Sequence, residues 1–204
     1  MAEEESVPTS GVTLVEPTAT TDEPRVLLTR RPDDRSILGG FYGFFVGRRE
    51  EGDARVPFAE TSPFMAPERA AWGCAVRELF EESGLLPLTQ GLVVSWEEEP
   101  RIPAPWGSWR EFRAHVDAGE IVFGEALREA ELRVDPEALH PVGEWPTPEW
   151  SDLETRTEFF VFTPDRLPEG ILDQVDSREH ADAHWVRPSE ALRRWREESW
   201  FLST

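Results

Sequence analysis

Between Trp72 and Leu85 the chain spells out a helix with chemically opposed faces, Trp-Gly-Cys-Ala-Val-Arg-Glu-Leu-Phe-Glu-Glu-Ser-Gly-Leu. At about 100° per residue, Trp72, Val76, Leu79 and Phe80 gather on one side, and Glu78, Glu81 and Glu82 gather opposite them. Arg77 is read as pointing away from the three acids around the helix. Pro67 suits the first turn, and Gly84 sits where a left-handed residue ends a helix. Three carboxylates within one turn repel each other by roughly a few tenths of a kcal/mol per pair on an isolated helix. The spacing leaves two readings open. Either a hard cation such as Mg²⁺, which prefers oxygen ligands, sits among the acids, or they form the solvated face of an acidic chain. Cys74 lies one turn before Glu78 on the carboxylate side and reads as a small packing residue, because no adjacent base would activate its thiol.

Around this helix the pattern alternates between strands and helices. Residues 1–10 read as a flexible acidic tail. Residues 11–16 and 25–30 alternate apolar and polar side chains at period two and are expected to form an antiparallel pair. Residues 36–47 form a glycine-punctuated aromatic strand leading into a tight loop, and 48–66 are irregular. A strand is expected at 92–96, then a helical insertion at about 107–139 in two pieces, 109–116 and 123–134. A buried strand follows at 156–163 and a short one at 183–187, and Pro188 opens a last helix to about residue 197. No repeat is evident. Strands interleaved with helices specify one α/β or α+β domain over 11–204.

Composition narrows the partners. The formal net charge is −20, with 21 basic residues that are all Arg. Such a field repels nucleic acid and anionic lipid. It also repels phosphorylated small molecules unless a divalent cation or a local Arg cluster reverses the sign. Arg25, Arg30, Arg31, Arg35, Arg48 and Arg49 make the first fifty residues the basic part of the chain, placed either to grip phosphates or to balance nearby acids. Cys74 is the only cysteine, which excludes an internal disulfide and a thiolate zinc site. No apolar run is long enough to span a bilayer, and the acidic start lacks the features of a secretory signal, so a cytoplasmic location is expected.

The run from Arg77 to Leu85 matches Arg-Glu-aliphatic-x-Glu-Glu-x-Gly-aliphatic at every fixed position, and on these residues the chain resembles the Nudix hydrolase family. Counting the family's spacing upstream lands on Pro63 and Arg69, which do not fit. Gly47, five residues and Asp53 do reproduce the upstream piece, with Phe-Phe-Val-Gly at 44–47 in place of the family's Phe-Pro-Gly-Gly. About sixteen residues, 54–69, are then inserted before the helix. A box split there resembles the branch containing the peroxisomal coenzyme A diphosphatases. Residues 112–139, Trp145-Pro-Thr-Pro148 with 154–160, and 185–192 resemble further parts of that branch, so the likeness spans about 11–202.

The resemblance implies an α/β fold with a mixed β-sheet between helices. It implies a metal-dependent hydrolase that cleaves a diphosphate linkage in a nucleotide-linked substrate, with coenzyme A or acyl-coenzyme A as candidates. Glu78, Glu81, Glu82 and Arg77 would be its catalytic residues. Glu81 and Glu82 would bind Mg²⁺ or Mn²⁺ directly. Glu78 would complete the metal cluster or take a proton from the attacking water. Arg77 would orient the loop near Gly47 and the acids. Arg30, Arg31 and Arg48 would hold substrate phosphates. Asp53 either supports the cluster or is solvated turn material. Glu98, Glu154 and Glu158 are candidates for a further acid outside the box. Trp96, Trp106, Trp109, Trp145 and Trp150 are available to stack on a base or to fill the core. His115, His140, His180 and His184 show no ligand spacing. The expected partner is a small-molecule diphosphate, with no nucleic acid and no membrane, and a homodimer is compatible with the sequence. The alternative is a catalytically silent Nudix-like sensor of a nucleotide metabolite, or a binding module. Val46 and the missing Pro motivate that alternative, and three retained, mutually repelling acids speak against it. The chain is also readable as a piece of a longer enzyme.

Overall fold

The computed structural model describes residues 7–17, 23–59, 68–96, 106–147 and 155–203. Nine strands and four helices are described. The strands are β1 (Val7–Leu14), β2 (Val26–Arg30), β3 (Tyr42–Gly43), β4 (Phe45–Arg48), β5 (Leu85–Leu88), β6 (Gly91–Val94), β7 (Leu139–Pro146), β8 (Thr155–Phe162) and β9 (Asp182–Val186). The helices are α1 (Arg69–Ser83), α2 (Trp109–Asp117), α3 (Phe123–Glu129) and α4 (Pro188–Arg196). A mixed sheet runs β4-β1-β8-β7, with β1 parallel to β8, beside an antiparallel sheet β3-β2-β9 and a β5-β6 hairpin. This is an α/β architecture.

The antiparallel pairing expected between 11–16 and 25–30 is reduced to one bridge, Val15 with Val26, and a bond from Glu16 N to Arg25 O. β1 instead lies between β4 and β8, and Thr9 to Leu14 are all buried. A strand buried on both faces needs a neighbour on each edge, and the Phe-rich β8 supplies the second. Residues 7–10, expected in a flexible tail, therefore belong to the central strand, with Thr9 and Ser10 inside.

α1 is covered on both sides. Trp72 meets Phe160 of β8 edge-on at 5.1 Å, while Phe80 packs on Phe112 of α2 at 5.5 Å and Phe123 of α3 at 5.9 Å. Twelve of its fifteen residues are buried, Glu78 and Glu82 among them, so the solvated acidic face is ruled out. Gly73 stands mid-helix, a position that costs about 1 kcal/mol relative to Ala. A Cβ there would collide with the backbone carbonyl of Asp53, so the glycine lets the 3₁₀ turn Asp53–Arg55 press against the helix. α1 ends at Gly84, whose φ is 74°.

The insertion begins with a capping box: Glu111 N donates to Ser108 Oγ, and Ser108 N donates to the Glu111 carboxylate. α3 ends at Glu129 rather than at 134. Glu131 turns left-handed at φ 56°, and Val134 bridges to Phe58 and Leu88 as extended backbone. β5 and β7 were not expected. β5 follows Gly84 immediately. β7 carries Pro141, Gly143 and Pro146 and a register shift, which an edge strand tolerates. Among the described residues no helix is long and apolar enough to cross a membrane.

Candidate active site

Four segments converge on the buried acids of α1: the β4 loop, the turn at Asp53, β2 with the residues after it, and the turn at 176–180. Arg77 is the hub. Its Nε donates to Asp53 Oδ1 at 2.9 Å, and Nη2 donates to the Arg48 carbonyl at 2.8 Å. Its Nη1 donates to Glu78 Oε1 and to Glu81 Oε2, both at 2.7 Å. The expectation that Arg77 points away from the acids is overturned. Arg77 and Glu81 stand at i and i+4, neighbours on a helix surface, and the long side chain also reaches Glu78. Burial works against the guanidinium charge, but the bonds to Asp53 and the adjoining glutamates outweigh it and raise its pKa. Asp53 is 1% exposed and ion-paired, not solvated turn material.

The Glu78 carboxyl lies against Gly47 of β4, in the space a Cβ would occupy. Any other residue at 47 would evict it. Burial pushes the carboxyls of Glu78, Glu81 and Glu82 each up to about 8, with Arg77 pulling the first two the other way. Glu82 Oε2 meets Nε2 of His180, and the Glu82 carbonyl accepts from Asp176 N at 3.0 Å. Burial lowers the His180 pKa to about 4, so the imidazole is neutral. Nothing in the sequence flags His180. The contact spans 98 positions and follows only from the fold.

The other anticipated residues divide. Arg31 has a buried Nε without a partner, and its charge is felt at Glu82 and His180. Arg30 is ion-paired with Asp33. Arg48 turns its side chain outward and contributes its carbonyl, which accepts from Arg77 and from the Cys74 thiol. The Cys74 thiol also faces the Gly47 carbonyl, and burial raises its pKa, consistent with packing. Glu158 is held by Arg49, which also pairs with Glu68 at the N-terminal end of α1. Ser10 of β1 stands between Gly47 and Glu158 in the sheet, so Glu158 lies two strands, roughly 10 Å, from the glycine that Glu78 touches. Glu98, Glu154 and Trp150 lie outside the described residues. Trp106 and Trp109 pack on Phe112 at 5.1 and 5.8 Å, and Trp145 lies edge-on to Phe159 at 5.8 Å. Beside Glu81, an open cleft of about 380 Å³ runs between α2 and residues 173–178, with Arg110 and Arg113 on its wall.

The donor set suits a hard divalent cation. Asp53, Glu78 and Glu81 are packed around one guanidinium, with Glu82 one turn on from Glu78, all offering oxygen, and the Gly47 carbonyl lies alongside. Among the described residues no three such side chains converge as a ready-made cage. The reason is visible: Arg77 Nη1 draws Glu78 and Glu81 onto itself.

The arrangement of sheets and helices is that of the Nudix fold. A Nudix hydrolase from Alicyclobacillus acidocaldarius superposes with a TM-score of 0.70 at 22% identity, covering 96% of this chain and 85% of that one. DR0079 from Deinococcus radiodurans follows at 0.47, with 12% identity over 97% and 76% of the two chains. A mutT/nudix family protein from Listeria innocua gives 0.42, with 16% identity over 92% and 82%. No family model matches the chain.

Proposed function

We propose that this chain is a metal-dependent hydrolase that cleaves a diphosphate linkage in a nucleotide-linked substrate, with coenzyme A or acyl-coenzyme A as candidates. Fold alone does not carry that reading. The observation that does is the Glu78 carboxyl resting on Gly47 beside Glu81 and Glu82, with Glu78 and Glu82 buried and Glu81 half-buried within about one helical turn. Glu78, Glu81 and Glu82 would hold Mg²⁺ or Mn²⁺. Such an ion supplies a bound water of lowered pKa and neutralises the diphosphate.

The chain's own residues do the rest. Arg77 ties the loop from Gly47 to Asp53 against α1, which fixes the surface on which Glu78 lies. Arg31 brings positive charge to the Glu82 end of the cluster without a carboxylate partner among the described residues, which suits a phosphate oxygen. Within a chain of net charge −20, such local reversal of sign is what an anionic substrate requires.

One observation favours a second reading. Arg77 already satisfies Glu78 and Glu81, as the sole cation of a silent nucleotide-metabolite sensor or binding module would. The two readings separate on turnover. Coenzyme A, acyl-coenzyme A, ADP-ribose, NADH and dinucleoside polyphosphates are incubated with Mg²⁺ or Mn²⁺, and products are resolved by chromatography. Cation-dependent cleavage of one of them is expected. Calorimetric binding of a member of the panel with no cleavage under any condition would instead select the sensor.

A further inference from the structure

We propose that His180 is a positioning residue for Glu82, fixing through Nε2 the direction in which that carboxylate faces. The inference rests on the metal-hydrolase reading above. Glu82 stands in the last turn of α1 and is buried there. His180 Nε2 hydrogen-bonds Glu82 Oε2, and both residues are buried. Among the hydrogen bonds of the described residues, His180 is the side chain joined to the Glu82 carboxyl. Metal-binding carboxylates depend on such partners for their orientation.

The imidazole is itself held firmly. Its ring lies 5.4 Å from that of Phe45, tilted by 52°. The His180 amide donates to Asp176 O at 2.9 Å, and the next amide, Ala181 N, donates to Arg30 O at 2.7 Å. Asp176 N in turn donates to the Glu82 carbonyl. The turn therefore grips Glu82 twice, at the backbone and at the carboxyl, and is anchored to β2 as well. A ring kept only to fill space beside Phe45 would not be an imidazole. Its Nδ1 is buried without a partner, a penalty that phenylalanine would avoid. The nitrogen that has a partner is the one on Glu82.

The test uses two variants of the full chain, H180F and H180Q. Phenylalanine keeps the contact with Phe45 and removes the nitrogen, while glutamine restores an N–H near the position of Nε2. Mn²⁺ affinity is measured by the electron paramagnetic resonance signal of the free ion, alongside thermal unfolding. H180F is expected to bind Mn²⁺ about 10–100-fold more weakly, the range for loss of a partner behind a metal ligand. H180Q is expected to recover most of the affinity. Wild-type affinity in a folded H180F, or affinity in H180Q no better than in H180F, overturns the proposal. A wild-type chain that binds no Mn²⁺ would instead bring down the hydrolase reading, and this inference with it.

Discussion

The Arg77 guanidinium and the Asp53 carboxylate meet at 2.9 Å, with side chains 6% and 1% exposed. The pair ties the 3₁₀ turn Asp53–Arg55 to α1, although 23 residues of chain lie between the two side chains. Removing one member of a buried pair leaves the other's charge uncompensated and costs about 3–5 kcal/mol. D53A is expected to lose stability in that range, read from urea unfolding. An unchanged midpoint would show that the pair is not what holds the loop.

Two glycines face different neighbours, and alanine at each should fail differently. At Gly73 the added Cβ meets the Asp53 backbone carbonyl, which cannot rotate away. G73A is expected to be destabilised by about 1–3 kcal/mol, as overpacking usually is. At Gly47 the Cβ meets the mobile end of Glu78, which can swing aside. G47A should therefore melt near the wild-type temperature yet lose activity by on the order of 100-fold, because the carboxylate is displaced. Equal activity in G47A and wild type would show that the seat of Glu78 on the loop is irrelevant to turnover.

Much of this was legible in the sequence because it is local. The helix end at Gly84 and the register of Glu78, Glu81 and Glu82 follow from spacing within one element. The direction of Arg77 was legible too and was misread, since its i, i+4 relation to Glu81 outweighs its place on the opposite arc from Glu82. What stayed hidden is non-local. The parallel pairing of β1 with β8 joins residues nearly 150 positions apart, and His180 reaches Glu82 only through the 176–180 turn. β7 was hidden by its own prolines.

Substituting Glu82 tests the site without disturbing its shape. E82Q keeps the length and can still hydrogen-bond His180, but it removes the charge that a cation needs. Unfolding should be nearly unchanged. Turnover should fall by more than the roughly 10–100-fold that loss of an outer partner costs. Undiminished rates would remove Glu82 from the proposed chemistry.

The acids also set how stability responds to pH. Burial raises Glu78, Glu81 and Glu82 from the ordinary 4.5 to about 8, so the folded chain holds protons that the unfolded chain releases. Their contribution is fully present below pH 4.5 and is lost as the pH rises toward 8. His180 has the opposite sign. Burial lowers it from 6.5 to about 4, so its contribution is present above pH 6.5 and lost as the pH falls toward 4. Between 6.5 and 8 only the acids act, and in chelator the melting temperature should drop across that window. On the proposed reading Mn²⁺ would bind the deprotonated acids of the folded state, so it should stabilise most at the alkaline end and flatten the slope. Differential scanning fluorimetry at pH 6.5, 7.2 and 8.0, with EDTA and with saturating Mn²⁺, measures both effects. A melting temperature in EDTA that rises with pH, or one that Mn²⁺ raises equally at every pH, would mean that the buried acids are not where the cation binds.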